Sequence, residues 1–469
     1  MVPISRRTFL ASAAAVPFLS WLERVAPTLD FQKLVRYDAT SSQGQAMLST
    51  YANAVAAMKK LPASDPRSWT FQWYIHSLPG DKTTTINSVF GSGSSPNKTL
   101  AQQAWKTCQA HNAPNVENYF LPWHRAYVLY FESIVRQISG NTAFTLPYWN
   151  YTVAGAQHGV IPPQFRNPGS PLYVADRTSS PNVNGGAPID QGLSPTPINL
   201  DALKYCSYDT FNSQLDSGLH GNVHGLTGTG TNMGSVRYAA NDPVFWAHHC
   251  QIDRIWYSWQ RAGRTTPPLS YNFTFVNAGG GSVTVNLSQF LDYTAQPYVY
   301  DSYVPVPSCV TKANLMVQRE DVLAARRQAG PIPIGPGPVE VTLSPSQTSQ
   351  PLSARVRAVS GEHRVFLVVR DVRTNVAPNG IFQVFLQLPP NTAAAARQQY
   401  HVGYINFFEA SSGGEHHGGT FRFDITDLAH RLAGLRALEG QVRVTIQPAG
   451  RASLGNAHPV IGDIVMTQM

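Results

Sequence analysis

The sequence predicts a mainly α-helical protein, in which a helical-bundle domain precedes a small C-terminal β-sandwich domain. In residues 45–61, 127–138 and 244–261, apolar and aromatic residues recur every three or four positions. This is the period of a helix that buries one face. Near residue 330 a stretch rich in Pro and Gly interrupts the chain. Short segments of alternating hydrophobicity follow it, as expected for strands with one buried face.

The helical domain is predicted to span residues 31–310. Between its helices lie long loops rich in Gly, Pro, Asn and Ser, such as residues 91–97 and 167–196. Loops of this length are uncommon in a compact domain unless they frame a functional site. We therefore expect the site in this domain.

The C-terminal domain is predicted to span residues 339–469, after a linker at residues 311–338. The linker contains a polar helical stretch at 312–328 and the Pro/Gly run at 330–338. The predicted strands are residues 339–343, 364–370, 381–388, 420–425 and 441–446. Their short length and spacing favour a β-sandwich.

Composition indicates a globular chain and gives no sign of nucleic-acid binding. The chain has 469 residues, of which 43% are hydrophobic and 13% are charged, so a large core can form. The net charge of +8 is spread thinly, without a dense Lys/Arg run interleaved with aromatics. We interpret it as a solvated surface with no nucleic-acid partner.

The first residues predict export. Ser5-Arg6-Arg7-Thr8-Phe9-Leu10 and the apolar run after it have the layout of a twin-arginine signal, which we place at residues 1–30. The apolar run is short and Pro17 interrupts it, so a membrane anchor is not expected. The alternative is an N-terminal helix, but the pattern favours a periplasmic or secreted protein.

The four cysteines do not decide the compartment. Cys108, Cys206, Cys250 and Cys309 are too few and too scattered for a disulfide framework, and none forms a CxxC pair.

Histidines at ligand-like spacings are the main functional signal. His220 and His224 stand four residues apart, so on a helix both rings project from one face and could share a metal ion. Alone, such a pair is more often a core or surface feature. About twenty residues later, Asp242-Pro243 predicts the start of a helix that carries His248 and His249.

Two further residues belong to this pattern. Asp253 follows His249 by four residues and could orient its ring, whereas His248 points about a quarter turn away. His124 opens a helix whose remaining residues are largely aromatic and aliphatic. By itself, His124 could equally be a core or capping histidine.

Together these segments resemble a known family. Residues 120–132 (FLPWHRAYVLYFE) and 242–253 (DPVFWAHHCQID) resemble the two copper signatures of the type 3 copper proteins, which include tyrosinases, catechol oxidases and haemocyanins. Asn232-Met233-Gly234, Tyr298-Val299-Tyr300 and residues 421–428 resemble further marks of the plant-like branch. The likeness runs from about residue 35 to the C-terminus.

The resemblance implies two copper ions per chain, with O2 as co-substrate. It assigns the first ion to His76, His111 and His124, and the second to His220, His224 and His249. His111 stands thirteen residues before His124, where the family usually has nine, and the family position is Asn115. Cys108 lies near the place where some members form a Cys–His thioether, and the sequence leaves this crosslink open.

The same resemblance implies a phenol oxidase that acts on small phenolic substrates. Its members oxidise o-diphenols to o-quinones, and some first hydroxylate monophenols. A water-holding base is expected before the first ligand of the second copper, where this chain has Asp216, and the assisting amide is displaced to Asn222. Asp216 could also cap a helix. Val236 stands where plant catechol oxidases carry a bulky Phe, so the substrate pocket is expected to be wide.

Several alternatives remain at this point. The site could serve a tyrosinase, a catechol oxidase or an o-aminophenol oxidase without monophenol hydroxylation, or, more remotely, a haemocyanin-like O2 binder. Imidazoles also suit zinc. The resemblance further implies that the C-terminal domain could shield the site, with residues 330–338 as the place to cut. The oligomeric state stays open.

Overall fold

The structure is a computed structural model that describes residues 33–108, 118–178, 181–310, 315, 319–411 and 419–469. The predicted export signal at residues 1–30 lies outside these residues. In the part of the chain that is described, no helix is both long and apolar enough to cross a membrane.

The N-terminal part is helical, as predicted. Its helices are α1 (Ser42–Met58), α2 (Trp69–His76), α3 (Lys82–Phe90), α4 (Pro96–Ala104), α5 (Phe120–Ser139), α6 (Pro163–Arg166), α7 (Tyr208–Gln214), α8 (Gly221–Thr227) and α9 (Val244–Arg261). Helix α5 packs between α1 and α9. The predicted start of α9 is confirmed, since Asp242 accepts a hydrogen bond from the backbone N–H of Val244 at 3.0 Å.

Two small sheets complete this domain. Strands β1 (Leu34–Arg36) and β4 (Tyr298–Tyr300) pair in parallel, with Arg36 opposite Tyr300. Strands β2 (Asn272–Val276) and β3 (Ser282–Asn286) form a hairpin, and Phe275 from β2 stacks on Tyr130 of α5. The first sheet therefore joins the two ends of the helical domain.

The C-terminal part is the predicted β domain. Its strands are β5 (Asp321–Ala325), β6 (Ile332–Pro333), β7 (Val339–Pro345), β8 (Val365–Arg373), β9 (Phe382–Leu386), β10 (His401–Ile405), β11 (Gly419–Asp424), β12 (Val442–Pro448) and β13 (Val460–Gln468). They pair in the order β10-β9-β12-β7-β5-β13-β8-β11, with β6 on β13. Strands β10, β9, β12 and β7, at one end of this order, and strands β5, β13, β8 and β11, at the other, bury side chains in the same core. Helices α10 (Leu352–Ala358), α11 (Ala394–Arg397) and α12 (Thr426–Gly434) connect the strands.

The predicted linker at residues 311–338 needs correction. Residues 321–325, expected to be helical, form β5, and β6 lies in the Pro/Gly run. Strand β5 pairs with both β13 and β7, and Ile332 pairs with Ile461. Tertiary pairing outweighs the weak local helical pattern here. A cut at residues 330–338 would therefore leave β5 attached to the helical domain and would fall within or beside β6.

Strand β8 of the β domain packs directly on the helical domain. In β8, Phe366 and Val368 belong to the helical core, whereas Val365, Leu367 and Val369 belong to the β core. Successive residues of a strand point to opposite faces, so this strand is buried on both. This explains the uninterrupted apolar run of β8, which lacks the alternation of a half-exposed strand.

The cysteine expectation was also incomplete. Cys206 and Cys309 form a disulfide across a sequence separation of 103 residues, with Cα atoms 5.7 Å apart. Cys108 and Cys250 are buried and not in disulfides. No sequence motif marks the pair, because only the fold brings the two segments together. The disulfide ties the end of the helical domain to the segment before α7.

Removing this disulfide should lower stability. Closing a loop of this length restricts the unfolded chain, and such bonds typically contribute about 2–4 kcal/mol. The double substitution Cys206→Ser with Cys309→Ser should therefore lower the midpoint of urea unfolding of the metal-free chain. The matched control is Cys250→Ser, for which reducing agent should still lower the midpoint. If reducing agent left the midpoint of the parent chain unchanged, the bond would not form in solution.

Candidate metal centre

One histidine cluster forms where α7 continues into α8. Residues Leu215–His220 form a π-helical turn between the two helices, and such turns are frequent at functional sites. His220 ends this turn and His224 lies one turn later on α8. Their Nε2 atoms are 3.1 Å apart. Both side chains are buried.

Helix α9 adds two histidines to this cluster. His248 and His249 lie with His220 and His224 such that one ligand atom from each falls within 4.8 Å of the others. The ring of His248 is 4.9 Å from that of His224, compared with 6.0 Å for His249. Both residues of the pair therefore lie at this cluster, and the expectation that only one of them serves the same ion stays a prediction. The spacing of His248 and His249 in the sequence gives the angle between their side chains around α9. It does not give the position of α8, which carries His224.

A second cluster contains His76, from the end of α2, and His124, from the first turn of α5. Their ring centroids are 5.7 Å apart. The thiol of Cys108 joins them, with Sγ 3.6 Å from Nε2 of His124. His111 lies outside the described residues, so its assignment as a third ligand stays a prediction. The reading of His124 as an isolated core histidine is excluded by this grouping.

The imidazoles are held by backbone carbonyls. Nδ1 of His124 lies 2.8 Å from the carbonyl of Phe120, and Nδ1 of His224 lies 2.7 Å from that of Met233. Nδ1 of His76 lies 3.2 Å from the carbonyl of Val236. A carbonyl accepts only from N–H, so each Nδ1 carries the proton and each Nε2 keeps a lone pair. This is the usual arrangement around a metal-binding histidine.

Three of these histidines, His224, His248 and His249, are neutral in this environment. Burial is the main cause that holds the pKa of His224, His248 and His249 well below the ordinary histidine value, and neighbouring imidazoles add to it. Within the part of the chain that the structure describes, neither ring nitrogen of His248 or His249 has a hydrogen-bond partner. Buried polar atoms normally have one. Neutral imidazoles with unused lone pairs fit a soft or borderline metal ion such as copper.

The two clusters adjoin each other. The rings of His124 and His249 are parallel, with centroids 4.1 Å apart and an interplanar angle of 7°. Phe120 and Phe245 pack against them, at 4.9 Å from His124 and 4.2 Å from His249. The arrangement can hold two metal ions side by side in an apolar enclosure.

Asp253 does not orient His249, contrary to the expectation from the sequence. Its carboxylate accepts hydrogen bonds from Arg125 at 2.6 Å, from Arg36 at 3.0 Å and from the hydroxyl of Tyr300 at 2.6 Å. Tyr298 donates to it as well. Although burial alone would raise it, Arg125 and Arg36 hold the pKa of Asp253 below the ordinary value. Asp253 thus fixes the helix and not the imidazole ring.

The other predicted site residues surround the clusters. Oδ1 of Asp216 lies 2.9 Å from Nδ1 of His220. Burial, with the nearby carboxyl of Glu409, raises the pKa of Asp216 well above its ordinary value. Asn222 donates to the carbonyl of Pro197 at 3.1 Å and accepts from Asn406 at 3.1 Å. Both ends of its amide are therefore engaged by loops.

A segment of the β domain covers the His220–His224 cluster. The ring of Phe408 stacks on His224, with centroids 3.7 Å apart and an angle of 7°, and it meets His220 edge-on at 5.5 Å. Asn406 donates to the carbonyl of Ser217 at 2.9 Å. Sequence reasoning did not identify these residues, because nothing local distinguishes Phe408 from other aromatic residues of the β domain.

Comparisons with known proteins agree with this geometry. Residues 66–193 and 193–262 match the family described as the common central domain of tyrosinase, and residues 319–464 match a domain of unknown function. A tyrosinase from Hahella sp. (strain CCB-MM4) is 29% identical over 427 residues, covering 82% of this chain and 89% of that protein.

More distant relatives are plant enzymes. The (+)-larreatricin hydroxylase of Larrea tridentata is 27% identical over 301 residues, which are 55% of this chain and 47% of that protein. The chain thus matches about half the length of this relative. The structure of a latent aurone synthase (polyphenol oxidase) has a TM-score of 0.63 at 19% identity, covering 94% of this chain and 90% of that one. The histidine clusters, the fold and the match of residues 66–262 to the central domain of tyrosinase support a type 3 copper protein of the tyrosinase and polyphenol oxidase family.

Proposed function

We propose that the protein is a tyrosinase, which uses O2 and two copper ions per chain to hydroxylate monophenols and to oxidise o-diphenols to o-quinones. The observation that carries this proposal is the contact between the two buried clusters at His124 and His249. The first ion would be held by His76 and His124 with His111, and the second by His220, His224 and His249. When bound, a copper pair supplies the exchange of electrons with O2.

The protein's own residues hold and enclose this centre. Backbone carbonyls fix the rings of His76, His124 and His224, so that little reorganisation is needed when a metal binds. Phe120 and Phe245 place apolar rings against His124 and His249, where the two clusters meet. An apolar enclosure also suits the aromatic ring of a small phenolic substrate.

Two residues support the hydroxylation of monophenols. Val236, whose backbone carbonyl lies 3.2 Å from Nδ1 of His76, carries a smaller side chain than phenylalanine. Asp216 is a carboxyl group beside the second cluster, 2.9 Å from Nδ1 of His220, and it is our candidate for the base that takes the proton of an incoming phenol.

A second candidate is a catechol oxidase that lacks the hydroxylase activity. Asn222 favours it, because its amide already bonds to Pro197 and Asn406, which leaves it fewer hydrogen-bonding positions to hold a water beside Asp216. The o-aminophenol oxidase and the haemocyanin-like O2 binder have no observation of their own in their favour.

We further propose that the β domain shields the site. Phe408 occupies the face of His224 that an aromatic substrate would use, and it is only 1% exposed. The covering segment is held by Asn406 and by Tyr404, whose hydroxyl donates to the carbonyl of Pro195 at 2.6 Å. A small phenol therefore needs the segment to move before it can reach His224.

Export belongs to the same proposal. The twin-arginine layout of Ser5 to Leu10 favours transport out of the cytoplasm. The disulfide between Cys206 and Cys309 supports it, because such bonds persist mainly in oxidising compartments.

Metal content tests the ligand assignment. The parent chain should bind two copper ions, and His224→Ala should bind one, because the second cluster loses a donor that backbone hydrogen bonding has already oriented. His158→Ala is the matched control and should keep two, since His158 bonds to Asp190 in a loop and belongs to neither cluster. Copper is measured by atomic absorption after gel filtration. An unchanged stoichiometry in His224→Ala would contradict the assignment.

Oxygen uptake distinguishes the two candidate functions. A Phe408→Ala chain is given L-tyrosine or L-DOPA in separate runs. A tyrosinase oxidises both, whereas a catechol oxidase oxidises only L-DOPA. Adding Asp216→Asn should lower the rate with tyrosine by at least about tenfold, and the rate with L-DOPA by less, because loss of a general base typically costs about 10²–10⁴ in rate. Asp201→Asn, an exposed carboxylate in a neighbouring turn, is the control. If the rate fell equally with both substrates, Asp216 would have no specific role in hydroxylation.

The shielding proposal is tested on the full chain. Phe408→Ala should raise the rate of 4-methylcatechol oxidation at least about tenfold, because it removes the ring stacked on His224. Phe407→Leu is the control and should leave the rate unchanged, since Phe407 packs against Phe382 inside the β core. A Phe408→Ala chain no faster than the parent would show that Phe408 does not limit access.

A further inference from the structure

The disulfide between Cys206 and Cys309 lies in an open cleft on the surface of the helical domain. The cleft has a volume of about 490 Å³, and residues 262–265 and 306–308 also line it. Cys309 is exposed and Cys206 is half-buried. Because small-molecule sites typically measure about 300–1,000 Å³, the cleft has room for a small organic molecule beside the two sulfur atoms.

Arg264 brings a positive charge to this cleft. Of the five N–H groups on its guanidinium, two on Nη1 donate to the carbonyls of Leu203 and Tyr205, the latter at 3.1 Å, and one on Nη2 donates to that of Pro307 at 2.5 Å. Counting partners among the described residues, two N–H groups remain. Two such groups can bind one carboxylate side by side. Burial lowers the pKa of Arg264, but an arginine stays protonated at neutral pH.

Hydrogen bonds hold the two cysteine-bearing segments together independently of the S–S bond. Arg264 joins residues 203–205 to Pro307. The backbone N–H of Val310 also donates to the carbonyl of Lys204 at 2.9 Å. When the S–S bond opens, these contacts keep the two sulfur atoms near each other. The bond can therefore open and form again while the chain stays folded.

We infer that this cleft is a site for small thiols that carry a carboxylate group. The carboxylate binds Arg264, and the thiol, after losing its proton to water, attacks Sγ of Cys309, the more exposed sulfur. A new S–S bond joins the thiol to Cys309, the bond between Cys309 and Cys206 breaks, and the Cys206 thiolate takes up a proton. The attacking sulfur is oxidised and the Cys206 sulfur is reduced, so the exchange needs no other oxidant or reductant.

This inference goes beyond the proposed phenol oxidase function. Among the residues that line the cleft, none belongs to either histidine cluster. Failure of the thiol site would therefore leave the proposed function as it stands.

Rates of disulfide opening in the metal-free full chain give the first test. The chain is treated with mercaptoacetate, which is anionic, or with 2-mercaptoethanol, which is neutral, and the ratio of the two rates is compared between variants, so that the different reactivities of the thiols cancel. In Arg264→Gln this ratio should fall about fivefold, as expected for the loss of an ion pair near the surface. Arg264→Lys is the matched control and should keep most of the ratio. The same ratio in the parent chain and in Arg264→Gln would overturn the inference.

The position of the adduct gives the second test. After partial reaction with mercaptoacetate, N-ethylmaleimide caps the thiol that has been released, and peptide mass spectrometry locates both groups. We expect mercaptoacetate on Cys309 and maleimide on Cys206. The reverse labelling, or no mercaptoacetate on either cysteine, would contradict the assignment.

Added salt provides a test that needs no substitution, and it decides if circular dichroism shows that Arg264→Gln does not fold. In the parent chain, about 0.5 M NaCl should lower the ratio of the mercaptoacetate rate to the 2-mercaptoethanol rate about threefold, because salt screens exposed charges. If the ratio did not change with salt, Arg264 would not attract the carboxylate and the inference would be wrong.

Discussion

The candidate site depends on a buried cluster of four charges. Arg36 of β1 donates two hydrogen bonds to Glu132 of α5, both at 2.9 Å, and one to Asp253 of α9. Arg125, also on α5, donates to Asp253 at 2.6 Å. Two positive and two negative charges balance here. Removing one partner from such a cluster leaves an uncompensated buried charge, which is strongly destabilising.

This charged cluster holds helix α5, which carries His124, against helix α9, which carries His249. Arg125 follows His124 directly, and Asp253 lies one turn after His249 on α9. Because the charges join α5 to α9, the stacking of His124 on His249 is set by contacts that these helices make beside their histidines. The imidazoles themselves would not hold this arrangement, since neutral rings in an apolar space attract each other only weakly. The protein therefore uses these buried charges to position the backbones of α5 and α9, which carry the histidines.

Local patterns in the sequence predicted much of this site. The start of α9 after Asp242, the spacing of His220 and His224, and the position of His124 in α5 are properties of single segments, so one sequence is enough to predict them. The fold class followed in the same way from helical and alternating periods. What failed depended on segments far apart in the chain: strand β5, the Cys206–Cys309 pair, the partners of Asp253 and the cover provided by Phe408. Each is decided by which segments meet, and no local period carries that information.

The identity of residue 408 follows from the chemistry proposed for the site. A ring that stacks on His224 gains contact energy whether or not it carries a hydroxyl group, so Phe and Tyr would serve equally well as a cover. They differ in that a tyrosine at this position would itself be a phenol at the site and would be consumed. Phenylalanine has the same ring without the reactive group. The hydrogen bonds of Asn406 and the space at Gly221 then supply the binding that the missing hydroxyl cannot, and they keep the cover in place as a substrate analogue that does not react.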